Sequence, residues 1–477
     1  MCSKYSKRIV NDLMKIVGQN NVEDDELVIK LYSRDAVYIE GIALAVVFPT
    51  STKHVSDIVK YAYRNDLKIY PQGATTEIVG SSTPHEDGII ISFSKMNAIR
   101  ELNIIDSYVV VEPGIRINDL NTFLSREGYM FPIDPASARA ATIGGAINSG
   151  AGGMMGVKYG TMKDWVLELE VVIPDENGTI LRLGGKTMKH RSGYDLVRLI
   201  VGSEGTLALV TEATLKITPL PENIVTIAGF FPTLEDLINV VVELKKRKVN
   251  LLIAEFVDAQ TVEVVSKFLK PKVKGVGNLL IISVDTPLEL ANVILDSLEK
   301  IMRDNNATSI FRARSMLEAE QMGIFDIRRG YYPTSIRIAS EGSKDTTSKI
   351  IVYIEDISVP PSKLKQVVEE LRILSIKYNI PMTLGGHIGD GNIHPVVWFD
   401  ENNIDVRERV LEFLRETMRV AIRLGGTVSS EHGIGTTKKE GLLMELQSKG
   451  SEYALDLMKK IKSIFDPKGM LNPGKIW

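Results

Sequence analysis

Cysteine is almost absent from this sequence of 477 residues, with Cys2 as its single example. One thiol excludes an internal disulfide, a cysteine zinc site and an iron–sulfur cluster held by this chain alone. An excess of one charge is also lacking, since 57 lysines and arginines face 60 aspartates and glutamates, for a net charge of −3. Because the basic side chains are spread along the chain, we expect no nucleic-acid partner.

Long hydrophobic runs are missing as well, although 44% of the side chains are hydrophobic. No apolar stretch reaches the length of a membrane span, and the N-terminal segment MCSKYSKRIVNDLMKIVG reads as an amphipathic helix rather than a signal peptide. The chain is too long for one hydrophobic core, so two or three domains are expected. These features predict a globular, cytoplasmic protein that does not span a membrane.

Glycine, by contrast, is concentrated in a few places. The segment 135–160, PASARAATIGGAINSGAGGMMGVKYG, carries seven glycines from Gly144 onward. Backbone N–H groups of glycine can approach a ligand closely because no side chain intervenes, which suits a pyrophosphate. A second loop, PQGATTEIVGSS at 71–82, has the same character. The two loops predict a dinucleotide held from two sides; the alternative is a pair of glycine-rich surface loops.

Two familiar phosphate-binding motifs are excluded. The GGKT segment at 184–187 lacks the glycine that a P-loop carries five positions before Gly185. No G-x-G-x-x-G lies between an early strand and a helix, as the Rossmann fingerprint requires. A nucleotide-binding protein without either motif indicates another flavin architecture.

Hydrophobic periodicity predicts a domain boundary at Pro219–Pro221. Before it, short apolar strands such as 43–48 and 88–93 alternate with helices, and a hairpin surrounds residues 174–178. After it, strands alternate with longer helices to about residue 397. This pattern predicts an α+β domain with an open, largely antiparallel sheet.

A histidine hairpin is predicted in the segment GGHIGDGNIHP at 385–395. The dipeptide Asp390-Gly391 favours a two-residue turn, which would pair His387 with His394. Their Cβ atoms would then stand about 5 Å apart on one face, as chelating ligands do.

The later segment SSEHGIG at 429–435 adds two further candidate residues. Glu431 would complete a set of two histidines and one carboxylate that binds zinc or another divalent metal with a position left open. His432 would point the other way if the chain is extended, and would be available as an acid or base. The alternative is that the histidines are structural and fully hydrogen-bonded.

Several long motifs link the chain to a known family. They are PQGATT, EPG at 112–114, ATIGGAINSGAGG at 141–153, VKYG at 157–160, VGSEGTLALVTEATL at 201–215, GGHIGDGNIHP, SSEHGIG and DPKGMLNPGK at 466–475. On these motifs the chain resembles, nearly end to end, the FAD-linked oxidases of the vanillyl-alcohol oxidase/PCMH fold. The branch is that of D-lactate dehydrogenase, FAD-linked glycolate oxidase and D-2-hydroxyglutarate dehydrogenase.

The resemblance implies an α+β protein with three parts. Residues 1–219 would form a PCMH-type FAD-binding domain. Residues 220–425 would form an α+β cap domain on a largely antiparallel sheet, with the substrate site and the metal-binding hairpin. Residues 426–477 would complete the active site and return to the FAD domain.

The resemblance also implies a noncovalent FAD, because His85 lies after the first loop and no histidine occupies the usual attachment position. Gln72 and Thr75 depart from the family pattern, since they stand where Arg and Gly are common. The residues implied to contact FAD are Gln72, Gly73, Ala74, Thr75, Thr76, Gly80, Ser81, Pro135, Thr142, Gly144, Gly145, Asn148, Gly152, Gly153, Tyr159, Gly160, Glu204, Gly205, Thr206, Val210 and Asn472.

For the chemistry, the resemblance implies a FAD- and metal-dependent dehydrogenase of small D-2-hydroxy acids such as D-lactate or glycolate. His387, His394 and Glu431 would hold a divalent metal, zinc or manganese, and His432 would be the catalytic base. Arg328 matches the arginine that binds the substrate carboxylate, with Arg329 as a competitor for that role.

The tail of the substrate is predicted from three further positions. Tyr332, Ile354 and Val396 align with Thr, Lys and Asn of dicarboxylate-specific relatives. Their apolar character favours lactate-sized or apolar-tailed acids over dicarboxylates.

The electron acceptor must be external, because the chain has no iron–sulfur ligands, no haem-attachment motif and no Rossmann fingerprint. The resemblance offers an iron–sulfur subunit, an electron-transfer flavoprotein, a cytochrome or a quinone. The protein would be cytoplasmic or peripheral to the membrane through this acceptor, and a homodimer is compatible with these features.

Two alternative functions stay open: a flavin-dependent transferase of the alkyl-dihydroxyacetone-phosphate synthase type, and a metal hydrolase that uses only the histidine hairpin.

Overall fold

The protein is described by a computed structural model that covers residues 4–37, 39–342 and 349–477. It divides into two units. Unit 1 comprises the chain up to Gly153, Gly160–Leu220 and Glu431–Trp477. Unit 2 comprises Met154–Tyr159 and Pro221–Ser430. The main division therefore falls inside the proline-bearing segment 219–221.

The strands are numbered in chain order. Those of unit 1 are β1 (Val22–Glu23), β2 (Ala45–Val47), β3 (Lys68–Gln72), β4 (Gly88–Ser92), β5 (Ile99–Asn103), β6 (Tyr108–Val111), β7 (Tyr129–Met130), β8 (Val166–Val172), β9 (Ile180–Gly184), β10 (Leu209–Lys216) and β11 (Thr218–Pro219). Those of unit 2 are β12 (Ile224–Phe231), β13 (Ile253–Val257), β14 (Asn278–Asp285), β15 (Ser309–Ala313), β16 (Ile350–Ile354), β17 (Ile357–Ser358), β18 (Met382–Gly386) and β19 (Asn392–Asp400).

The helices are numbered in the same way. They are α1 (Lys4–Val17), α2 (Glu26–Tyr32), α3 (Thr52–Arg64), α4 (Ile117–Leu124), α5 (Ile143–Ser149), α6 (Gly156–Tyr159), α7 (Leu196–Ile200), α8 (Leu234–Lys246), α9 (Ala259–Leu269), α10 (Ala291–Asp304), α11 (Met316–Met322), α12 (Asp326–Arg329), α13 (Tyr331–Gly342), α14 (Leu364–Tyr378), α15 (Ile404–Arg423), α16 (Lys439–Ser448) and α17 (Tyr453–Phe465). Short 3-10 helices lie at Gln19–Asn21, Phe93–Lys95, Ser125–Glu127, Met162–Asp164, Leu288–Leu290 and Pro361–Lys363.

Unit 1 contains a four-stranded sheet in the order β1-β2-β4-β3. Strands β2 and β3 both run parallel to β4. Every residue of β2 and β4 is buried, as expected for parallel strands covered on both faces. The Ser51 hydroxyl caps α3 by accepting a hydrogen bond from the His54 N–H, which starts the helix just after β2.

The second large sheet of unit 1 has five antiparallel strands in the order β5-β6-β10-β8-β9. The predicted hairpin around residues 174–178 is confirmed, since Val172 of β8 pairs with Ile180 of β9. Strand β10 is the last strand of this sheet in the sequence, and the boundary with unit 2 follows shortly after it.

Unit 2 is built on one sheet with the path β15-β12-β14-β13-β18-β19-β16, in which each neighbouring pair is antiparallel. Side chains of β14 alternate between two cores, because successive residues of a strand point to opposite faces. Leu280 and Ile282 join the core formed with α8, α10, α14 and α15. Leu279 and Ile281 join the core formed with α9 and α13. The predicted α+β class and antiparallel cap sheet are confirmed.

The register of the histidine hairpin differs from the prediction. Strands β18 and β19 pair Gly385 with His394, so five residues rather than two connect the strand ends at Gly386 and Asn392. The predicted pairing of His387 with His394 across an Asp390-Gly391 turn is therefore wrong. The backbone N–H groups of Asp390 and Asn392 both donate to the His387 carbonyl, and this loop replaces the tight turn.

Candidate functional site

The two glycine loops of unit 1 meet where Gly73 approaches Thr142. A Cβ atom on Gly73 would overlap the Thr142 hydroxyl oxygen, so only glycine permits this approach. The loops border a cavity of about 880 Å³, whose walls include Gly73, Ala74, Thr75 and Thr142. A volume of this size accommodates a large organic ligand.

The side chain of Gln72 fixes the position of the first loop. Its side-chain amide donates to the carbonyls of Tyr32 at 2.8 Å and Ser82 at 2.9 Å, and its side chain is buried. Thr75 adopts a positive φ of 51°, a conformation that favours glycine.

The second loop wraps a short helix. The Thr142 hydroxyl caps α5 by accepting a hydrogen bond from the Gly145 N–H at 3.3 Å. Gly144 packs against Pro113, where an added Cβ would come within 2.6 Å of the proline ring. After the helix, Gly152 lies against Glu431, and an added Cβ would be 3.0 Å from its carboxylate oxygen.

Glu204, one of the residues predicted to contact FAD, binds the backbone of a neighbouring segment through its side chain. Its two carboxylate oxygens accept the backbone N–H groups of Ile434 at 2.7 Å and Gly435 at 2.8 Å, just after His432. Burial raises the pKa of Glu204 to about 7, against the effect of these two donors. Glu204 therefore holds the backbone that follows the predicted base.

Asn472, from the C-terminal tail, joins the same cluster of loops. Its side-chain amide donates to the carbonyls of Ser81 at 2.8 Å and Glu204 at 2.7 Å. The Glu204 N–H in turn donates to the Asn148 carbonyl at 2.7 Å. Four segments that are far apart in sequence thus converge within unit 1.

The other predicted FAD residues lie in two places. In unit 1, Gly80 has a positive φ and donates its N–H to Asp35, and Gly205 packs against Pro71. Tyr159 differs, because α6 belongs to unit 2 and the Tyr159 ring packs against the unit 2 core. The remaining predicted FAD residues, all in unit 1, are Thr76, Pro135, Gly153, Gly160, Thr206 and Val210.

Unit 1 also holds polar atoms suited to a ligand. The buried side-chain atoms that have no hydrogen-bond partner among the described residues include Gln72 Oε1, Asn148 Oδ1, Ser203 Oγ and Asn472 Oδ1. Buried polar groups normally have partners, so a bound group with polar atoms would relieve this cost. Together with the glycine approach and the cavity, these atoms fit a dinucleotide.

The two predicted metal-binding histidines come together in unit 2 despite the altered register. The rings of His387 and His394 lie 5.4 Å apart between centroids and are nearly perpendicular. His394 lies in β19, whereas His387 is the first residue of the loop after β18. The His387 and His394 side chains are both buried.

Each imidazole is anchored through Nδ1. His387 Nδ1 lies 2.6 Å from Glu255 Oε1, and His394 Nδ1 lies 3.3 Å from the Glu355 carbonyl oxygen. Both partners are acceptors, so Nδ1 carries the proton in each neutral ring and Nε2 presents a lone pair. This arrangement is the one found around histidine metal ligands.

The two candidate arginines are distinguished by their partners. Arg328 is largely buried and donates through Nε to Glu255 Oε2 at 2.7 Å. Arg329 is half-exposed and forms a two-point ion pair with Glu320, at 2.6 Å for both bonds. Arg328, not Arg329, therefore shares a buried carboxylate with His387.

Buried carboxylates near the histidines, among them Glu255 and Asp356, were not predicted from the sequence. Glu255 is fully buried in β13, and Asp356 is fully buried with Oδ1 3.8 Å from His394 Nδ1. Asp356 also accepts hydrogen bonds from the Asn392 side chain and from the Ser430 N–H. Each could have been noticed as an acidic residue inside an apolar run, LLIAEFV and IVYIEDISV, because lone buried charges need a reason.

Glu431 and His432 lie at the start of the last segment of unit 1. The chain bends here, and His432 Nε2 lies 3.5 Å from Glu431 Oε1. The two side chains therefore do not point in opposite directions as an extended chain would place them.

Comparison with known families gives the identity of this architecture. Residues 43–184 match the family described as FAD binding domain, and residues 220–476 match the family described as FAD linked oxidases, C-terminal domain. The chain belongs to the FAD-linked oxidases. The predicted FAD cofactor and oxidoreductase class are confirmed by this membership.

Curated relatives extend over the whole chain. The glycolate oxidase subunit GlcD of Bacillus subtilis is 34% identical over 99% of this chain and 97% of its own length. The D-lactate dehydrogenase of Archaeoglobus fulgidus is 34% identical over 90% of each chain. Among solved structures, p-cresol methylhydroxylase with bound substrate has a TM-score of 0.77 at 16% identity, covering 99% of this chain and 97% of the other. That likeness shows the PCMH-type fold.

The family membership bears on one of the two alternative functions. A hydrolase with purely structural glycine loops does not agree with a match to an FAD-binding domain over those loops.

Among the described residues, no helix combines the length and the apolar character that crossing a bilayer requires.

Proposed function

We propose that this FAD-linked oxidase oxidises a small D-2-hydroxy acid, such as D-lactate or glycolate, to the 2-oxo acid. The observation that carries the proposal is the grouping of Arg328, His387 and His394 within unit 2, with both imidazoles anchored at Nδ1. A cation that binds a carboxylate and a pair of metal-type histidines suit a substrate with adjacent carboxylate and hydroxyl groups.

FAD would be held noncovalently by the loops around Gly73, Thr142 and Asn148, and by Asn472. These residues border the cavity or carry buried polar atoms without partners among the described residues. When bound, FAD accepts the hydride removed from C2 of the acid.

A divalent metal, zinc or manganese, would be bound by His387, His394 and Glu431. The histidines fit this role because an imidazole that donates from Nδ1 to an acceptor carries its lone pair on Nε2, the atom that binds a metal. Asp356, close to His394, is a further carboxylate that could join or orient the ligand set. A bound cation supplies Lewis acidity, which lowers the pKa of the substrate hydroxyl.

The chain's own side chains orient the acid and move its proton. Arg328 would bind the substrate carboxylate through its terminal nitrogens, since Nε is engaged by Glu255. His432 would take the hydroxyl proton, held in place by the Glu204 bonds to the backbone that follows it. Glu204 would thus also be a positioning residue for His432.

The substrate tail would be short or apolar. Ile354 and Val396 are directly paired between β16 and β19, and Tyr332 packs in the same apolar cluster. These three side chains offer no charge to a second carboxylate, and burying an unpaired carboxylate against them would be costly. We therefore favour D-lactate over D-2-hydroxyglutarate.

The test is anaerobic mixing of the purified yellow protein with D-lactate, L-lactate, glycolate and D-2-hydroxyglutarate. D-lactate or glycolate should bleach the flavin absorbance, and D-2-hydroxyglutarate should do so far less. A flavin that no 2-hydroxy acid bleaches would overturn the proposal in favour of the transferase. A colourless protein with bound zinc would favour the hydrolase.

The acceptor would be an external protein, such as an iron–sulfur subunit, an electron-transfer flavoprotein or a cytochrome, or else a quinone. A location in the cytoplasm, or at the membrane surface through that acceptor, follows from this proposal.

A further inference from the structure

Glu255 is a carboxylate with no access to solvent, and it touches two functional side chains at once. It lies in β13 of the unit 2 sheet, between β14 and β18. Its Oε1 atom is 2.6 Å from His387 Nδ1, and its Oε2 atom is 2.7 Å from Arg328 Nε. Each oxygen thus serves a different partner.

Burial makes this arrangement costly unless it is fully paired. Removing a carboxylate from water is unfavourable, and buried charges are normally paired and hydrogen-bonded. Packing alone would be served as well by an apolar residue, because its neighbours in β13 are apolar. The carboxylate is therefore best explained by what it does to His387 and Arg328.

On His387, the carboxylate selects the tautomer and the ring orientation. A carboxylate oxygen accepts the hydrogen bond from Nδ1, so the lone pair of the ring is on Nε2, the atom that would bind a metal. On Arg328, the bond engages Nε. None of the described residues accepts a hydrogen bond from the two terminal nitrogens of Arg328. These two nitrogens can bind a carboxylate in a bidentate manner.

We propose that Glu255 is a positioning residue that couples the metal ligand His387 to the substrate-carboxylate ligand Arg328. This inference rests on the proposed function of the same site. Its consequence is that one substitution, at a residue touching neither metal nor substrate, weakens the binding of both. Substitution of Arg328 should likewise weaken metal binding, although Arg328 is not a metal ligand.

The test compares Glu255→Gln with the matched control Glu320→Gln, which breaks the neighbouring Arg329 ion pair at the surface. Metal affinity is measured by competition of the FAD-loaded protein with a chelator for Zn²⁺ and Mn²⁺. KM and kcat are measured with D-lactate and an artificial dye. Glu255→Gln should lower metal affinity about 10- to 100-fold and raise KM, while Glu320→Gln leaves both unchanged.

A second pair of variants covers the case in which Glu255→Gln does not fold, judged by FAD content and thermal melting. Arg328→Gln should lower metal affinity by several-fold relative to Arg329→Gln. Wild-type metal affinity in folded Glu255→Gln, or in Arg328→Gln where the former does not fold, would overturn the coupling. Failure of wild-type protein to bind metal or oxidise any 2-hydroxy acid would instead overturn the proposed function.

Discussion

At the scale of single residues, the contacts of each histidine decide which chemistry it can perform. His394 is buried, bonded at Nδ1 to the Glu355 carbonyl, and stacked edge-on against His387. His432 belongs to unit 1 and lies beside Glu431. The first is suited to hold a metal and the second to move a proton.

Replacing His394 by alanine should remove the metal and abolish dye-linked turnover while leaving FAD bound, because His394 belongs to unit 2 and the glycine loops to unit 1. Metal content by mass spectrometry and flavin content by absorbance check this outcome. The exposed His190→Ala serves as the control. Flavin content that falls in step with metal content would contradict the assignment of two separate sites.

Replacing His432 by alanine should leave both metal and flavin in place and slow the reduction of the flavin. The expected loss is about 10²- to 10⁴-fold, the usual contribution of a general base. Stopped-flow reduction by D-lactate measures it. An unchanged rate would assign the proton transfer to another group.

At the scale of elements, the glycine loops depend on a close approach that a single methyl group would prevent. Gly73→Ala would push the loop after β3 away from the start of α5. Overpacking of this kind costs about 1–3 kcal/mol, which corresponds to roughly 5- to 150-fold weaker FAD binding. Fluorescence titration of the apoprotein with FAD would measure the change.

Gly185→Ala is the control, because its added Cβ would meet only the exposed His190 ring, at 3.1 Å. Equal FAD affinities for the two variants would show that the loop contact does not form part of the FAD site.

The loops of unit 1 also enclose acidic groups that make stability depend on pH. Burial, reinforced by the charge of Glu77, raises the pKa of Asp35 to about 7, although the N–H groups of Val37, Ile39 and Gly80 donate to it. The folded state therefore holds a proton that the unfolded state releases between about pH 4 and pH 7. Stability from this group is present at low pH and is lost as the pH rises to about 7.

Asp35→Asn should accordingly flatten the fall in melting temperature of the wild type between pH 5 and pH 7.5. Part of the slope should remain, because the raised pKa of Glu204 acts in the same direction. Melting curves at matched ionic strength give the two slopes. A variant as pH-dependent as the wild type would mean that Asp35 titrates normally.

At the scale of the whole molecule, the scarcity of cysteine bears on how electrons would leave the flavin. With Cys2 as the single cysteine, this polypeptide cannot supply the thiolates of an iron–sulfur cluster. The proposed function therefore requires an acceptor outside this chain for the reduced flavin.

Steady-state turnover with D-lactate should be supported by an artificial dye and not by NAD. Acid precipitation of the protein should release the yellow colour, since the FAD is proposed to be noncovalent. Rapid hydrogen peroxide production at the dye-supported rate would indicate a true oxidase, and flavin retained in the precipitate would indicate a covalent link.

Much of the protein follows from local sequence signals. Strands β2 and β4 lie within the segments 43–48 and 88–93 that periodicity predicts as strands, because an apolar run acts over neighbouring residues. The glycine loops could also be found from sequence, since the backbone conformation that they require is set at each glycine in turn.

Tertiary structure alone decided the rest. The Asp390-Gly391 turn was overridden because the loop residues have stronger partners elsewhere, among them the 2.7 Å bond from the Asn392 side chain to Asp356. Glu255 lies 132 positions from His387 and 73 from Arg328, so no spacing rule connects them. They meet because β13 pairs with β18 and packs against α12, and pairing over such distances is determined by the burial of whole strands and helices rather than by neighbouring residues.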